Sequence, residues 1–508
     1  MKNQYPLLLL LLISSLAYAQ SDSLRDYRWQ IGFASNPTNL DFGGTDFNFH
    51  ENPVALTYQY RDLNFQLTNA SICDVNGELL FYSNGIQICN QFGDTITNGN
   101  GLNPGIFADD AALFGYRVPN GAFVLPDPNN EQQYYLIHES YDINEVGETA
   151  TSFKFYYTLV DMSTPEGQVV SKNNLILADT FDVGHTTAVR HGNGRDWWIL
   201  KPRFDSNVFH TFLLGPTGVL HAFVQEVGEP IDRNGGASQA VFSPDGTKYA
   251  RNDGSLIAGP QYVKLYDFDR CSGLLSNFQE VVLQDSSWGS GIAFSPNSRY
   301  LYSSVTARVY QFDTEASDLG GSQELIAEWA GEYCPAYPLA ANFFMMQPGP
   351  DQKIYINSTN GVNCMHVIHE PDNPGLSCDL EIGGLPLPTY NSFSLPHFPN
   401  YRLGALTGSP CDSLGLVDAP DLPSDQPTEI ALYPNPCKAG EAVYMEYPPG
   451  PASVFRWYNA LGELVLEEFS SAQWGPVLAL ATPGQPGLYF LEASDDGGVA
   501  HSWKVVVQ

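Results

Sequence analysis

The 508-residue sequence predicts an all-β protein, a β-propeller of seven four-stranded blades followed by a small β-sandwich. Three observations carry that prediction. A strand–turn–strand pattern recurs at intervals of about fifty residues. The composition favours strands and tight turns, and the last part of the chain has a separate succession of short strands.

Aromatic residues make up 13% of the chain and charged residues only 16%, with 46 glycines and 36 prolines. That balance suits many strands joined by turns, and continuous amphipathic helical patterns are scarce. The formal net charge is -33. A surface so acidic repels nucleic-acid phosphates and anionic lipid, which removes both from the expected partners. Its simplest consequence is solubility.

At the start, Lys2 precedes an unbroken apolar run from Leu7 to Ile13, and Ala17-Tyr18-Ala19 offers the small residues a signal peptidase needs. Residues 1–19 therefore read as a signal peptide, cut between Ala19 and Gln20. A membrane-spanning helix needs about 20 apolar residues. This run is shorter and no later segment reaches that length, so no transmembrane segment is expected in the mature chain.

Residues 20–411 carry the repeat. It is plainest as Phe242-Ser243-Pro244-Asp245-Gly246 before Lys248-Tyr249-Ala250, as Phe294-Ser295-Pro296-Asn297-Ser298 before Tyr300-Leu301-Tyr302, and as Pro350-Asp351-Gln352 before Lys353-Ile354-Tyr355. Pro244, Pro296 and Pro350 are 52 and 54 residues apart. Looser copies lie at Asp74 to Gly77, Pro128 to Asn130 and Gly192 to Gly194. Each turn joins two strands, and the repeat from Ala240 leaves room for two more, at Val263 to Phe268 and Phe278 to Leu283, which makes a blade. Six turns account for six blades. Tyr27 to Leu67 and Ser392 to Tyr401 remain, and the second pairing onto the first would close a seventh blade and remove the exposed edges. An array of β-sandwiches is the rival architecture.

After a linker at residues 412–428, rich in Pro, Asp and Ser, residues 429–508 read as a separate small β domain. It opens with Tyr433-Pro434-Asn435-Pro436, turns at Asn459-Ala460-Leu461-Gly462, and continues through Pro486-Gly487-Leu488-Tyr489 to Trp503-Lys504-Val505-Val506-Val507. This order of motifs resembles the type A C-terminal sorting domain of the type IX secretion system of Bacteroidetes. The resemblance implies delivery across the outer membrane with the secretion machinery as partner, and carries Tyr433, Pro434, Asn435, Pro436, Gly462, Gly487, Tyr489 and Lys504 as the motif positions. The larger domain resembles exported Bacteroidetes propellers of the YVTN or WD-like kind. Matching stretches are Ser71 to Gly85, Ala188-Val189-Arg190-His191, Phe242 to Gly246, Asp267 to Gly273, and Pro399 to Gly404. That likeness implies a propeller at the cell surface and no settled reaction.

Eight cysteines in an exported chain can form disulfides. Cys364 and Cys378 flank the turn Pro371-Asp372-Asn373-Pro374, which would place them on one hairpin and makes them the first-choice pair. Zinc is the rival for Cys364, His366 and His369, but no C-x-x-C or H-x-x-x-H spacing supports it. Calcium could use Asp267 and Asp269, or Asn252-Asp253-Gly254, although neither matches the twelve-residue loop of an EF-hand, and capping of turn N–H groups explains them more simply.

Catalytic candidates are His138-Glu139, Asp109-Asp110, His185, Arg190-His191, Arg203, His210 and His397. Adjacent carboxylates on a strand point to opposite faces, so Asp109-Asp110 is a poor acid–base pair. No nucleophile elbow and no phosphate-binding glycine motif is present. Trp29, Trp197, Trp198, Trp288 and Trp329 could stack on sugars, but pack more simply between blades. The sequence thus assigns no catalytic residue, no cofactor and no metal. It favours a non-enzymatic module binding protein or glycan, with a secreted hydrolase or lyase acting on an extracellular polymer as the alternative.

Overall fold

The computed structural model describes residues 23–111, 114–143, 150–230, 238–253, 259–287, 290–334, 339–412, 432–433, 437–446, 453–459, 464–470, 477–494 and 500–507. The cleavage site at Ala19 and Gln20, nearly all of the linker, and the motif residues Pro434, Asn435, Pro436 and Gly462 lie outside them. The chain divides into two compact units, Met1–Val417 and Asp418–Gln508.

The first unit is a propeller. Six four-stranded antiparallel blades begin with the strands Ala70–Cys73, Ala122–Asp127, Thr187–Arg190, Ala240–Phe242, Ser290–Phe294 and Met346–Pro348. Numbered around the ring, these are blades 2 to 7. Each of the six sequence turns falls between the first and second strands of a blade, so the repeat in the sequence is the repeat in space. Phe242, Phe294 and Met346 all sit in first strands, as their turns predict, although Pro348 rather than Met346 holds the place equivalent to the two phenylalanines. Blades 2 and 3 also touch at their outer strands, where Gln168 pairs in parallel with Thr97.

Local chemistry explains the turns. In blade 5 the Ser243 Oγ accepts the Lys248 N–H at 2.9 Å, and Asp245 Oδ1 accepts the Thr247 N–H at 3.0 Å. In blade 6 Ser295 and Asn297 repeat both bonds, to Tyr300 and Arg299, at 2.8 and 3.0 Å. Gly246 takes a left-handed φ of 73°, a conformation that costs glycine nothing; Ser298 holds the same place at 66°.

Blade 1 closes the ring in an unexpected way. Its sheet contains the strands Arg28–Gly32, Gly44–Asn48 and Ala55–Gln59. Asp26, just before the first of these, lies at the end of the ring where the other blades' first strands finish. Arg28–Gly32 therefore runs against those first strands and holds a second-strand position. Residues 394–398 fill the vacant inner place. They form no regular strand, because Pro396 and Pro399 have no N–H to give a ladder. Individual bonds hold them instead: the His397 N–H donates to the Asn69 carbonyl at 3.1 Å, and the Asn69 amide donates to Ser394 Oγ at 2.9 Å. Beyond them, the Tyr401 hydroxyl donates to the Val124 carbonyl at 2.7 Å, and Arg402 grips both oxygens of Asp26 at 2.8 and 2.6 Å. The segment lies where sequence reasoning put a closing strand, but closes the ring without being one.

The cysteine expectation needs correction. Cys364 is bonded to Cys334, with Cα atoms 6.0 Å apart, and Cys271 to Cys411, at 5.5 Å. Cys378 is a buried free thiol. It closes the short 3-10 helix Gly375–Cys378 and packs with Tyr302 and Ile368, whereas Cys364 packs with Cys334, Ala341 and Val362. Opposite Cys364 in the ladder stands Pro386, so the two residues never face each other. Cys271–Cys411 ties the chain beyond the closing segment to blade 5.

The second unit contains two sheets over one core, a small sandwich. Ala442–Glu446 pairs with Leu432–Tyr433 and Val477–Ala481, and a four-stranded sheet runs in the order Leu464–Ser470, Ser453–Asn459, Gly487–Ser494, Ala500–Val507. Phe455, Trp457, Leu491 and Val505 are fully buried. Tyr433 pairs with Tyr444, Gly487 opens its strand, and Lys504 stands opposite Phe490. Tyr489 packs its ring near Trp457, and its hydroxyl donates to the Gln485 carbonyl at 3.0 Å.

Candidate functional site

The first strands of blades 4 to 7 and the closing segment finish at one mouth of the channel, where the repeat builds a pocket of about 340 Å³. Phe242, Phe294 and Phe398 form its aromatic wall, and prolines from three turns and the closing segment line its sides. In blades 5 to 7 the residue that ends the first strand, Phe242, Phe294 or Pro348, thus becomes pocket surface, while blade 4 contributes Thr187 and Ala188. The pocket's polar groups are few: Thr187, Gln347, Gln352 and Asn400, with Asp26 and Arg402 already paired to each other. Asn400 uses its amide to hold the Pro244 carbonyl at 2.7 Å. Apolar faces with a few amides suit binding by stacking and hydrogen bonding. Among the described residues, Asp26 is the pocket's single carboxylate, and the lining includes no histidine.

Charged residues gather at the opposite end of the ring, where second strands finish. Blade 3 contributes Glu139, blade 4 Lys201, and blade 5 Arg251 and Asp253, while Asp182 and His185 come from the connection between blades 3 and 4. All six are essentially inaccessible to solvent. Lys201 Nζ donates to Glu139 Oε2 at 2.9 Å and to the carbonyls of Asp182 and Gly184 at 2.7 and 2.6 Å. Arg251 donates to Asp182 Oδ2 at 2.9 Å and lies 3.1 Å from Asp253 Oδ2. Burial shifts Glu139, Lys201, Asp182 and His185 toward their neutral forms, opposed by their charged neighbours. Glu139 is raised, Lys201 lowered, Asp182 pushed up to about 7 and His185 down to about 3.

The structure distributes the sequence candidates differently. Glu139, His185 and Asp253 meet in this cluster. His138 is held apart as a neutral core group, lowered to about 3 by burial and hydrogen-bonded to Asn103 and Thr158. Arg190 lies 4.0 Å above the Trp197 ring and donates to the Arg195 carbonyl, and His191 Nδ1 accepts the Asn193 N–H. Arg203 and His210 face Asp179 near the surface, and His397 belongs to the closing segment. Asp109 lies in the short helix Ile106–Ala111, and the side chain of Asp110 is outside the described residues. Asp267 bonds Lys248 and Asn277, and Asp269 caps Cys271 and Ser272, so both serve turns. Trp29 and Trp197 are core residues, the Trp198 and Trp329 indoles donate to backbone carbonyls, and Trp288 lies outside the described residues.

Sequence reasoning missed Asp182, Lys201, Arg251 and the Asp26–Arg402 pair. One signal was available: the second strands switch from apolar to charged at their ends, as in Trp197 to Lys201 and Tyr249 to Asp253. Charges in an otherwise buried strand demand partners from elsewhere.

No family model and no curated protein matches this chain. Among solved structures, it is similar to a putative 6-phosphogluconolactonase from Bacteroides uniformis at 14% identity and a TM-score of 0.44, covering 72% of this chain and 98% of that one. A putative 6-phosphogluconolactonase from Bacteroides fragilis gives 13% identity and 0.43, with 72% and 96% covered. The periplasmic gluconolactonase of Pseudomonas aeruginosa gives 11% and 0.36, with 72% and 99% covered. The propeller assignment rests on the strand ladders described above.

Proposed function

We propose that this chain is an exported propeller that binds a protein or glycan at the cell surface or in the medium through the pocket at the turn-bearing mouth. The pocket carries this reading: three phenylalanines and a ring of prolines, with a few amides and no unpaired acid, make a surface for stacking rather than for acid–base chemistry. Residues 1–19 act as the export signal, residues 20–411 as the binding domain, residues 412–428 as the linker, and residues 429–508 as the sorting domain for type IX secretion. The tail's order of motifs supports this route, and the two disulfides suit an oxidising compartment.

The test is a glycan and peptide binding screen on the full chain, with affinity for any hit remeasured in Phe242→Ala and Gln347→Ala. Loss of one wall or one amide should weaken binding about tenfold, the effect of a single well-buried contact. Unchanged affinity in both variants would move the binding surface elsewhere. Convergence of Glu139 from blade 3, Asp182 and His185 from the connection between blades 3 and 4, and Asp253 from blade 5 favours the hydrolase or lyase as the second reading. Polymer turnover lost in Glu139→Gln would establish that reading instead.

A further inference from the structure

We propose that Asp182, His185 and Asp253 bind one first-row divalent cation, of the Zn²⁺ or Mn²⁺ class, inside the ring between blades 3, 4 and 5. One ligand atom from each residue lies within 4.8 Å of the others. Metal–ligand bonds of about 2.0 to 2.6 Å span about 4 to 5 Å across a coordination shell, so one ion reaches all three.

The second observation concerns His185. It is fully buried, yet neither ring nitrogen makes a hydrogen bond of good geometry, although the Asn252 backbone lies close to the ring. A buried imidazole without well-placed partners forfeits the hydration of both nitrogens and gains little for it. Its Nδ1 is aimed at both acids, 3.9 Å from Asp182 Oδ2 and 4.0 Å from Asp253 Oδ1. Those separations are too long for hydrogen bonds and suit two ligands sharing an ion. The backbone is bent to achieve this, with left-handed φ values of 73° at Gly184 and 54° at His185. A histidine in that region costs energy that a purely structural turn would avoid by using glycine twice.

The neighbouring charges leave carboxylate oxygens to spare. Glu139 faces Lys201 at 2.9 Å, and Glu280 faces Lys264 at 3.5 Å. Lys264 also approaches Asp253 at 3.4 Å. Within the buried cluster three acids, Glu139, Asp182 and Asp253, thus face three bases, Lys201, Arg251 and Lys264. Asp182 Oδ1 and Asp253 Oδ1 remain without hydrogen-bond partners, available on the sides that Arg251 does not use. A set of two carboxylates and one imidazole matches Zn²⁺ or Mn²⁺ better than Ca²⁺, which prefers oxygen throughout.

The full chain, stripped with chelator and dialysed, should be titrated with Zn²⁺, Mn²⁺ and Ca²⁺ by calorimetry, and its metal content measured by mass spectrometry. The expected result is one equivalent of Zn²⁺ or Mn²⁺ per chain, bound more tightly than Ca²⁺. Replacing Asp253 also strips Arg251 of a partner and endangers folding, so His185→Gln is the primary variant. It should weaken binding at least about tenfold while circular dichroism stays unchanged. His210→Gln, at the separate, partly buried Asp179–His210–His221 group, is the control and should bind as the parent does. No binding of either metal, or binding lost in His210→Gln and retained in His185→Gln, would overturn the proposal.

Discussion

Acidification should destabilise the propeller through histidines that are buried in their neutral form, and His366 and His397 make the case quantitative. Burial lowers each to about 4, below the ordinary value of 6.5. Each makes the contacts of a neutral ring: His366 Nε2 faces the Asn342 carbonyl at 3.2 Å while its Nδ1 accepts the Gly383 N–H at 3.1 Å, and His397 Nε2 faces the Thr186 carbonyl at 3.1 Å. The unfolded chain takes up the proton that the folded one refuses. Stability is therefore complete above the ordinary pKa and is lost as pH falls from 6.5 toward 4. Each pH unit in that window costs about 1.4 kcal/mol per histidine, so each should cost about 2 kcal/mol by about pH 5. The assay is urea unfolding of the full chain followed by tryptophan fluorescence, at about pH 7 and about pH 5, for the parent and for His366→Gln and His397→Gln. Carboxylates titrate alike in all three proteins, so the parent–variant difference isolates the histidine. Each variant should lose about 2 kcal/mol less on acidification than the parent. An equal loss in parent and variants would refute the reasoning.

Tyr401→Phe removes the hydroxyl that holds the Val124 carbonyl and should cost about 1 to 2 kcal/mol in urea unfolding, because that carbonyl is left buried without its donor; a loss below about 0.5 kcal/mol would show that the closing segment is not anchored there. Peptide mapping without reduction should recover Cys271–Cys411 and Cys334–Cys364, with Cys378 alkylated only after denaturation; a Cys364–Cys378 peptide would contradict the structure. Deleting residues 429–508 should leave a folded propeller in the periplasm, and normal secretion of the truncated chain would refute the sorting role.

What the sequence determined by itself is the local grammar. Ser243, Asp245 and Gly246 satisfy one another's backbone within a few residues, so their turn is readable without knowing what lies opposite. Six such turns at near-even spacing were enough to place six blades, and the tail's strands were legible for the same reason. Tertiary structure decided everything that depends on distant partners. Cys364 meets Cys334 because the third strand of blade 7 presents it to the connection from blade 6, a direction that spacing around a turn does not encode. Prolines at 396 and 399 turn the expected closing strand into a segment held by single bonds to Asn69 and, beyond it, to Val124 and Asp26. Asp182, His185 and Asp253 lie up to 71 residues apart and become neighbours only when consecutive blades pack around a shared axis. A charge in a buried strand shows in sequence that a partner is required, and only the closed ring chooses which one.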